Sequence, residues 1–157
     1  MKKNITSGKI IISILGLFTA ISPYLADWNV THIYNPNWLP HAKFHNAQTM
    51  VLGAFLGILT LYYLWFKKSI NEKKRFIEAT IFVSLYWLAQ FPAYFYPGTK
   101  LQDPGVNHIE FPIIFGIEFN QLAMNIIVII PLIIAAYLLE MKRLNNLNFL
   151  PIGSLLP

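Results

Sequence analysis

The sequence predicts an all-α fold, an integral membrane bundle of four helices with both termini cytoplasmic. Three observations carry that prediction: the bulk composition, four apolar stretches of membrane-spanning length, and the distribution of lysine and arginine between the loops. Of 157 residues, 55% are hydrophobic and 12% charged, and the mean hydropathy is +0.49, outside the usual range for a soluble domain. The formal charge is +5. Its basic residues gather in short runs beside apolar segments, where they meet anionic lipid headgroups, so nucleic acid is not expected as a partner. The chain has no cysteine, which excludes disulfides, thiolate catalysis and cysteine-ligated metals.

A bilayer core takes roughly 20 mostly apolar residues per helix. Four stretches qualify, at about 9–27, 45–66, 76–96 and 119–139. They lack the alternation of barrel strands, and open sheet edges do not survive in hydrocarbon, so helices are expected. One four-span domain over 1–143 follows, with 144–157 as an interfacial or disordered tail in which Asn145, Asn146 and Asn148 alternate with apolar residues. A cleaved signal peptide is the rival for the first span. Tyr24 stands where cleavage wants a small residue, which disfavours it.

Lys2, Lys3 and Lys9 precede the first span, Lys67, Lys68, Lys73, Lys74 and Arg75 lie between the second and third, and Lys142 and Arg143 follow the fourth. Only Lys43 and Lys100 belong to the other two loops. By the positive-inside rule, loops 28–44 and 97–118 are non-cytoplasmic. Tyr24, Trp28, Trp38, Tyr94 and Tyr96 at that boundary, and Tyr62, Tyr63 and Trp65 at the other, have the positions of interfacial aromatic belts. The run 109–119 is too apolar for a free loop and is expected to pack as a re-entrant or interfacial lid.

On this topology every histidine, His32, His41, His45 and His108, falls on the outer side, with Asp27, Asp103, Glu110 and Glu118. His41, His45 and Thr49 share a helix face, with Gln48 beside them, as do Glu118, Gln121 and Asn125; Trp87, Gln90 and Tyr94 reach the same level on the third span. Polar groups in hydrocarbon turn inward and find partners, so a common polar pocket is expected. Asp27, His32, His41, His45 and Glu118 are its candidate catalytic residues, and Trp28, Trp38, Trp87, Gln90, Tyr94, Gln121 and Asn125 its candidate substrate-binding ones. Simple interhelical glue is the structural alternative for each polar residue alone.

His beside a carboxylate suits general acid–base work near neutral pH. A divalent metal at His41 and His45, completed by Asp27 or Glu118, is the competing use of the same residues; no HExxH supports it. Gly53 and Gly57 form a GxxxG pair, for packing within the bundle or in a homodimer. Pro23, Pro92 and Pro131 each predict a kink or local unwinding. Glu78 is expected to pair with Lys74 or Arg75.

The segment Asp27-Trp28-Asn29-Val30-Thr31-His32, followed by Asn35-Pro36-Asn37-Trp38 and His41-Ala42-Lys43-Phe44-His45, resembles the hallmark of an uncharacterised family of small four-span membrane proteins of bacteria and fungi. The resemblance covers span one into span two by motif and the rest by topology, and implies that Asp27, His32, His41 and His45 belong to one site. The architecture is also similar, more loosely, to sterol isomerases and sigma-2-type receptors, where a histidine and acids line an intramembrane cavity. Two functions follow as expectations. One is a membrane-embedded enzyme, isomerase- or cyclase-like, acting on a hydrophobic small molecule at the outer face; the other is a non-enzymatic lipophilic-ligand-binding or accessory protein. Transport ranks last, because Ile10 to Leu17, Gly57 to Tyr63 and Ile126 to Ala136 offer no polar path.

Overall fold

The computed structural model describes residues 4–68, 70–102 and 111–148, the side chains of the last two excepted. Four helices are long and apolar enough to cross a membrane, which makes the chain an all-α, multi-pass membrane protein. Helix α1 spans Ser7–Asp27, α2 Pro40–Trp65 and α3 Glu72–Tyr94. The fourth is continuous but composite: α4 over Gln121–Met124, a π-helical segment over Asn125–Ile129 and α5 over Ile130–Asn148.

Local chemistry sets the boundaries. Thr6 caps α1 by accepting from the Lys9 amide, Asn71 caps α3 by accepting from the Lys74 amide, and Asn120 caps α4 by accepting from the Ala123 amide. Pro40 opens α2 at a position where no amide hydrogen is needed. The second helix therefore starts five residues before the expected 45, and residues 40–44 leave the predicted loop. Pro131 carries the unwinding expected of it in a specific form. Its ring would collide with the Ile127 carbonyl in a regular helix, and the preceding turn widens so that the Ile130 amide reaches back to Asn125 O.

The four long helices form a ring in the order α1, α2, α3, α5, with α1 also touching α3. The central α1–α2 contact is made by glycine. Gly53 and Gly57 are buried against α1, where the Pro23 ring fills the notch at Gly53 and the Gly16 carbonyl approaches Gly57. Both glycines are thus used for packing within the bundle, the first of the two roles expected of them. The core is Ile12, Leu15, Leu64, Phe76, Ala79, Val83, Trp87, Ile129, Ile133, Ala136, Met141 and Leu144.

At the end where α1 begins, the basic end, charge is paired. Buried Lys9 binds Glu72, Arg143 bridges Glu72 at 2.8 Å and buried Glu140 at 2.6 Å, and Thr6 Oγ1 donates to Glu140 at 2.5 Å. Lys9 is thus a network member and not a free headgroup cation. This network, with Met141 and Leu144 in the core, carries the last helix through the predicted domain limit at 143, so 144–148 are helical; the remainder of the predicted tail lies outside the described residues. Glu78 pairs with Lys67 at 2.9 Å, one loop further away than Lys74 or Arg75. At the opposite, loop end, residues 113–118 form a two-stranded antiparallel hairpin, β1 Ile113–Ile114 and β2 Ile117–Glu118. Of the re-entrant or interfacial lid expected over 109–119, the described part is this hairpin; its turn needs positive φ at both Phe115 and Gly116.

Candidate functional site

The loop joining α1 to α2 is built from short asparagine-centred turns. Asn29 Oδ1 accepts from the Thr31 amide at 2.8 Å and the Thr31 hydroxyl at 2.6 Å, and the Asn29 amide group donates to Ala26 O. Asn35, fully buried, donates to Thr31 O and accepts from the Asn37 amide. These bonds hold His32 in one orientation. Because the Thr31 hydroxyl hydrogen is spent on Asn29, its oxygen accepts from His32 Nδ1–H at 2.7 Å. The neutral imidazole therefore carries its lone pair on Nε2, which lies 3.7 Å from Asp27 Oδ1. The Trp38 ring meets His32 edge-on at 5.1 Å.

Asp27 closes α1 and is itself positioned. Its Oδ2 accepts from Asn46 Nδ2 of α2 at 2.8 Å, leaving Oδ1 toward His32. The carboxylate is one-fifth exposed and the imidazole one-third, so both reach solvent-accessible space.

That space is a cavity of about 510 Å³ at the loop end. One wall is Ser22, Pro23, Ala26 and Asp27 of α1 with Thr31, His32 and Trp38 of the loop. Tyr86, Trp87 and Gln90 of α3 face it. Phe111 and Phe119, at the two feet of the hairpin, close it together with Gln121 and Met124 of α4. Lys100, Leu101, Gln102 and Asn120 complete a lining in which aromatic and aliphatic surface alternates with polar groups from several elements.

Trp87 is anchored at the back. It stacks on Phe18 at 5.5 Å and donates through Nε1 to the buried Thr19 hydroxyl at 2.8 Å. Fully buried Asn125, at the start of the π-helical segment, donates to Trp87 O at 2.7 Å and to Gln90 Oε1 at 3.4 Å. Two buried atoms of this pair, Gln90 Nε2 and Asn125 Oδ1, have no hydrogen-bond partner. This donor and acceptor lie behind the cavity wall, where water or a polar ligand group reaching Gln90 can bond to them.

Of the residues the sequence singled out, the cavity collects Asp27, His32, Trp38, Trp87, Gln90 and Gln121, with Asn125 supporting Gln90. Others lie elsewhere. His41 and His45 are exposed on α2 and bond to each other, and Glu118 is exposed in the hairpin. Trp28 is exposed, donating to the Tyr34 hydroxyl at 2.6 Å, and Tyr94 is exposed beside Phe95. The metal set of His41 and His45 with Asp27 or Glu118 is not assembled: among the described residues no group of three or more such side chains can hold an ion. Asp103, His108 and Glu110 lie outside the described residues. Sequence reasoning missed Asn46, Thr31, Tyr86, Phe111 and Phe119.

Asn46 carried a legible signal. At 100° per residue it projects within about 20° of both Gly53 and Gly57, the face that packs on α1, whereas His41 projects about 160° from Gly57. A family of unknown function, DUF6640, matches over residues 11–148. No functionally curated protein and no solved structure matches the chain.

Proposed function

We propose that this chain, which belongs to the family of unknown function DUF6640, is a membrane-embedded acid–base enzyme. It acts on a lipophilic small molecule in the loop-end cavity, which faces the non-cytoplasmic side. The observation that carries the reading is His32: a histidine of fixed tautomer, its Nε2 lone pair next to a carboxylate and on the wall of an aromatic cavity.

The chemistry suited to this arrangement is an isomerisation or a cyclisation by proton transfer. His32 Nε2 takes a proton from one carbon of the substrate, Asp27 Oδ1 stabilises the imidazolium so formed, and the same proton returns to a second carbon. Atoms and charge balance without a co-reactant. Trp38 and Trp87 supply apolar ring surface for the substrate skeleton, and the negative charge left by abstraction falls on the polar substituent. Gln90 supplies the hydrogen bond that orients a polar substituent. Phe111 and Phe119 shield the reacting end, and the ligand enters from the bilayer.

The test compares cells lacking the chain with cells restored by wild type, His32→Gln or Asp27→Asn, with untargeted mass spectrometry of their lipid extracts. The expected result is an isomeric pair whose ratio wild type shifts and His32→Gln does not, with Asp27→Asn reduced about 100-fold or more in rate, within the general range for acid–base groups. A His32→Gln chain that restores the wild-type profile overturns the reading. If wild type merely retains one lipophilic compound, unconverted, the cavity is a binding site and the protein a carrier or accessory.

A further inference from the structure

The two histidines that α2 turns away from the cavity form an arrangement of their own. His41 and His45 stand one turn apart, with Nε2 to Nε2 at 3.0 Å and ring centroids at 4.4 Å. Gln48 defines the tautomer of the second. An amide oxygen only accepts, so His45 Nδ1–H donates to Gln48 Oε1 at 3.2 Å and leaves the His45 Nε2 lone pair facing His41. His41 then holds the single shared hydrogen on its own Nε2. The His41 ring is further fixed by parallel stacking on Phe44, with centroids 6.3 Å apart.

We propose that His41 and His45 together bind one imidazole-preferring divalent ion, zinc being the reference case, through their Nε2 atoms. Two features support it. Two imidazoles bound to one tetrahedral zinc at about 2.05 Å place their nitrogens about 3.3 Å apart, so the pair is within a few tenths of an ångström of that spacing. The ion takes the place of the hydrogen between the two rings, which moves through solvent to His41 Nδ1, so both ligands are neutral imidazoles and no net proton is released. The Nδ1–H of His45 is already given to an amide oxygen, the supporting bond that ligating histidines ordinarily make.

The surroundings permit it. Both histidines are exposed, in the first two turns of α2 at the loop end of the bundle. Lys43, two residues from each, projects about 160° from both around the helix axis, and its charge is kept from the site. With two protein ligands the remaining positions belong to water. The site is separate from the cavity but mechanically close to it, since the loop carrying His32 and Trp38 joins α2 at Leu39, two residues before His41. A bound ion ties the first two turns of α2 together at that junction.

The test uses the full chain in detergent micelles, stripped of metal with a chelator and titrated calorimetrically with zinc chloride. One ion per chain is expected, with affinity reduced at least tenfold in His41→Ala and in His45→Ala, and about tenfold in Gln48→Ala. Absence of saturable binding, or binding unchanged in the His41→Ala/His45→Ala double variant, overturns the proposal. Should these variants fail to fold, copper(II) added to the unmodified chain gives the answer by electron paramagnetic resonance: two equatorial imidazole nitrogens uphold the pair, and one or none refutes it.

Discussion

Adding one methyl group at Gly57 is expected to destabilise the bundle by about 2 kcal/mol. The added carbon would sit 2.3 Å from Gly16 O, 2.7 Å from Ala20 Cβ and 2.8 Å from Ala20 N. All three atoms belong to the α1 backbone or are fixed directly to it, so no side-chain rotation relieves the clash. Restoring an ordinary contact of roughly 3.3 Å to the carbonyl oxygen moves the helices apart by about 1 Å, a gap that already forfeits much of the dispersion energy along the contact. Overpacking of this kind costs about 3 kcal/mol at the upper end of its range. The helix preference of alanine over glycine returns about 1 kcal/mol. Reversible unfolding in mixed micelles, followed by tryptophan fluorescence and helical circular dichroism, measures the difference. Ile58→Ala, one residue along on the exposed face, is the control and should lie within about 0.5 kcal/mol of wild type. A Gly57→Ala protein as stable as wild type refutes the close α1–α2 approach. A change in oligomer size at unchanged stability would instead put the glycine at a contact between chains.

Four further outcomes follow from the same structure. Glu140→Ala removes the acceptor of the Thr6 hydroxyl and of Arg143 from a buried position and should cost about 3 kcal/mol in the same unfolding assay; a loss under about 1 kcal/mol would mean that water replaces the carboxylate. Phe115→Gly should leave the hairpin in place and stabilise its turn by about 1 kcal/mol, because a bulky residue sits there at φ 50°; loss of stability would show that the exposed ring has a binding partner. Lys67 is held above its ordinary pKa by its hydrogen bond to Glu78. The pair's contribution is therefore complete below the lysine's unfolded value and is lost as pH rises through the raised one, so wild type should lose more stability than Lys67→Met on titration above pH 10, and equal losses would refute the linkage. Because the chain has no cysteine, Lys100→Cys should react with a membrane-impermeant maleimide in intact cells and Lys68→Cys only after permeabilisation; the reverse pattern would invert the orientation.

Most of the fold was legible because hydrocarbon imposes length and polarity on a span. The helix limits moved where local chemistry competed with hydropathy. Proline at the start of α2 lengthened it into residues that read as loop, and the salt bridges of Glu140 and Arg143 carried the last helix past the charges that seemed to end it. The candidate site was legible by level and not by direction. Asp27, His32, Trp38, Trp87, Gln90 and Gln121 were grouped by depth along the membrane normal, which hydropathy reports well. His41, His45 and Glu118 shared that depth but point elsewhere, because rotation about a helix axis is set by which face packs. On α2 the glycines set that face. The loop's own contribution, the Thr31–Asn29 bond that fixes the His32 tautomer, depends on side-chain geometry that spacing does not encode.

The two halves of the bundle have complementary roles in this arrangement. At the basic end, Lys9, Glu72, Glu140 and Arg143 tie the starts of α1 and α3 to the end of α5, and at mid-depth the glycine contacts fix α1 against α2. Beyond those contacts the helices leave room for the loop-end cavity. The catalytic geometry proposed for that cavity rests on the same α1–α2 contact, since Asp27 ends one helix and is aimed by Asn46 of the other at 2.8 Å. A 1 Å separation of α1 from α2 would stretch that bond beyond hydrogen-bonding length. Gly57→Ala should therefore impair turnover more than Asn46→Ala does, although Gly57 lies outside the cavity lining. It disturbs both the aim of Asp27 and the wall formed by Pro23, whereas Asn46→Ala frees the carboxylate alone. If Asn46→Ala proves the more damaging of the two, the aim of Asp27 is set by that single hydrogen bond and not by the packing of the helices that carry it.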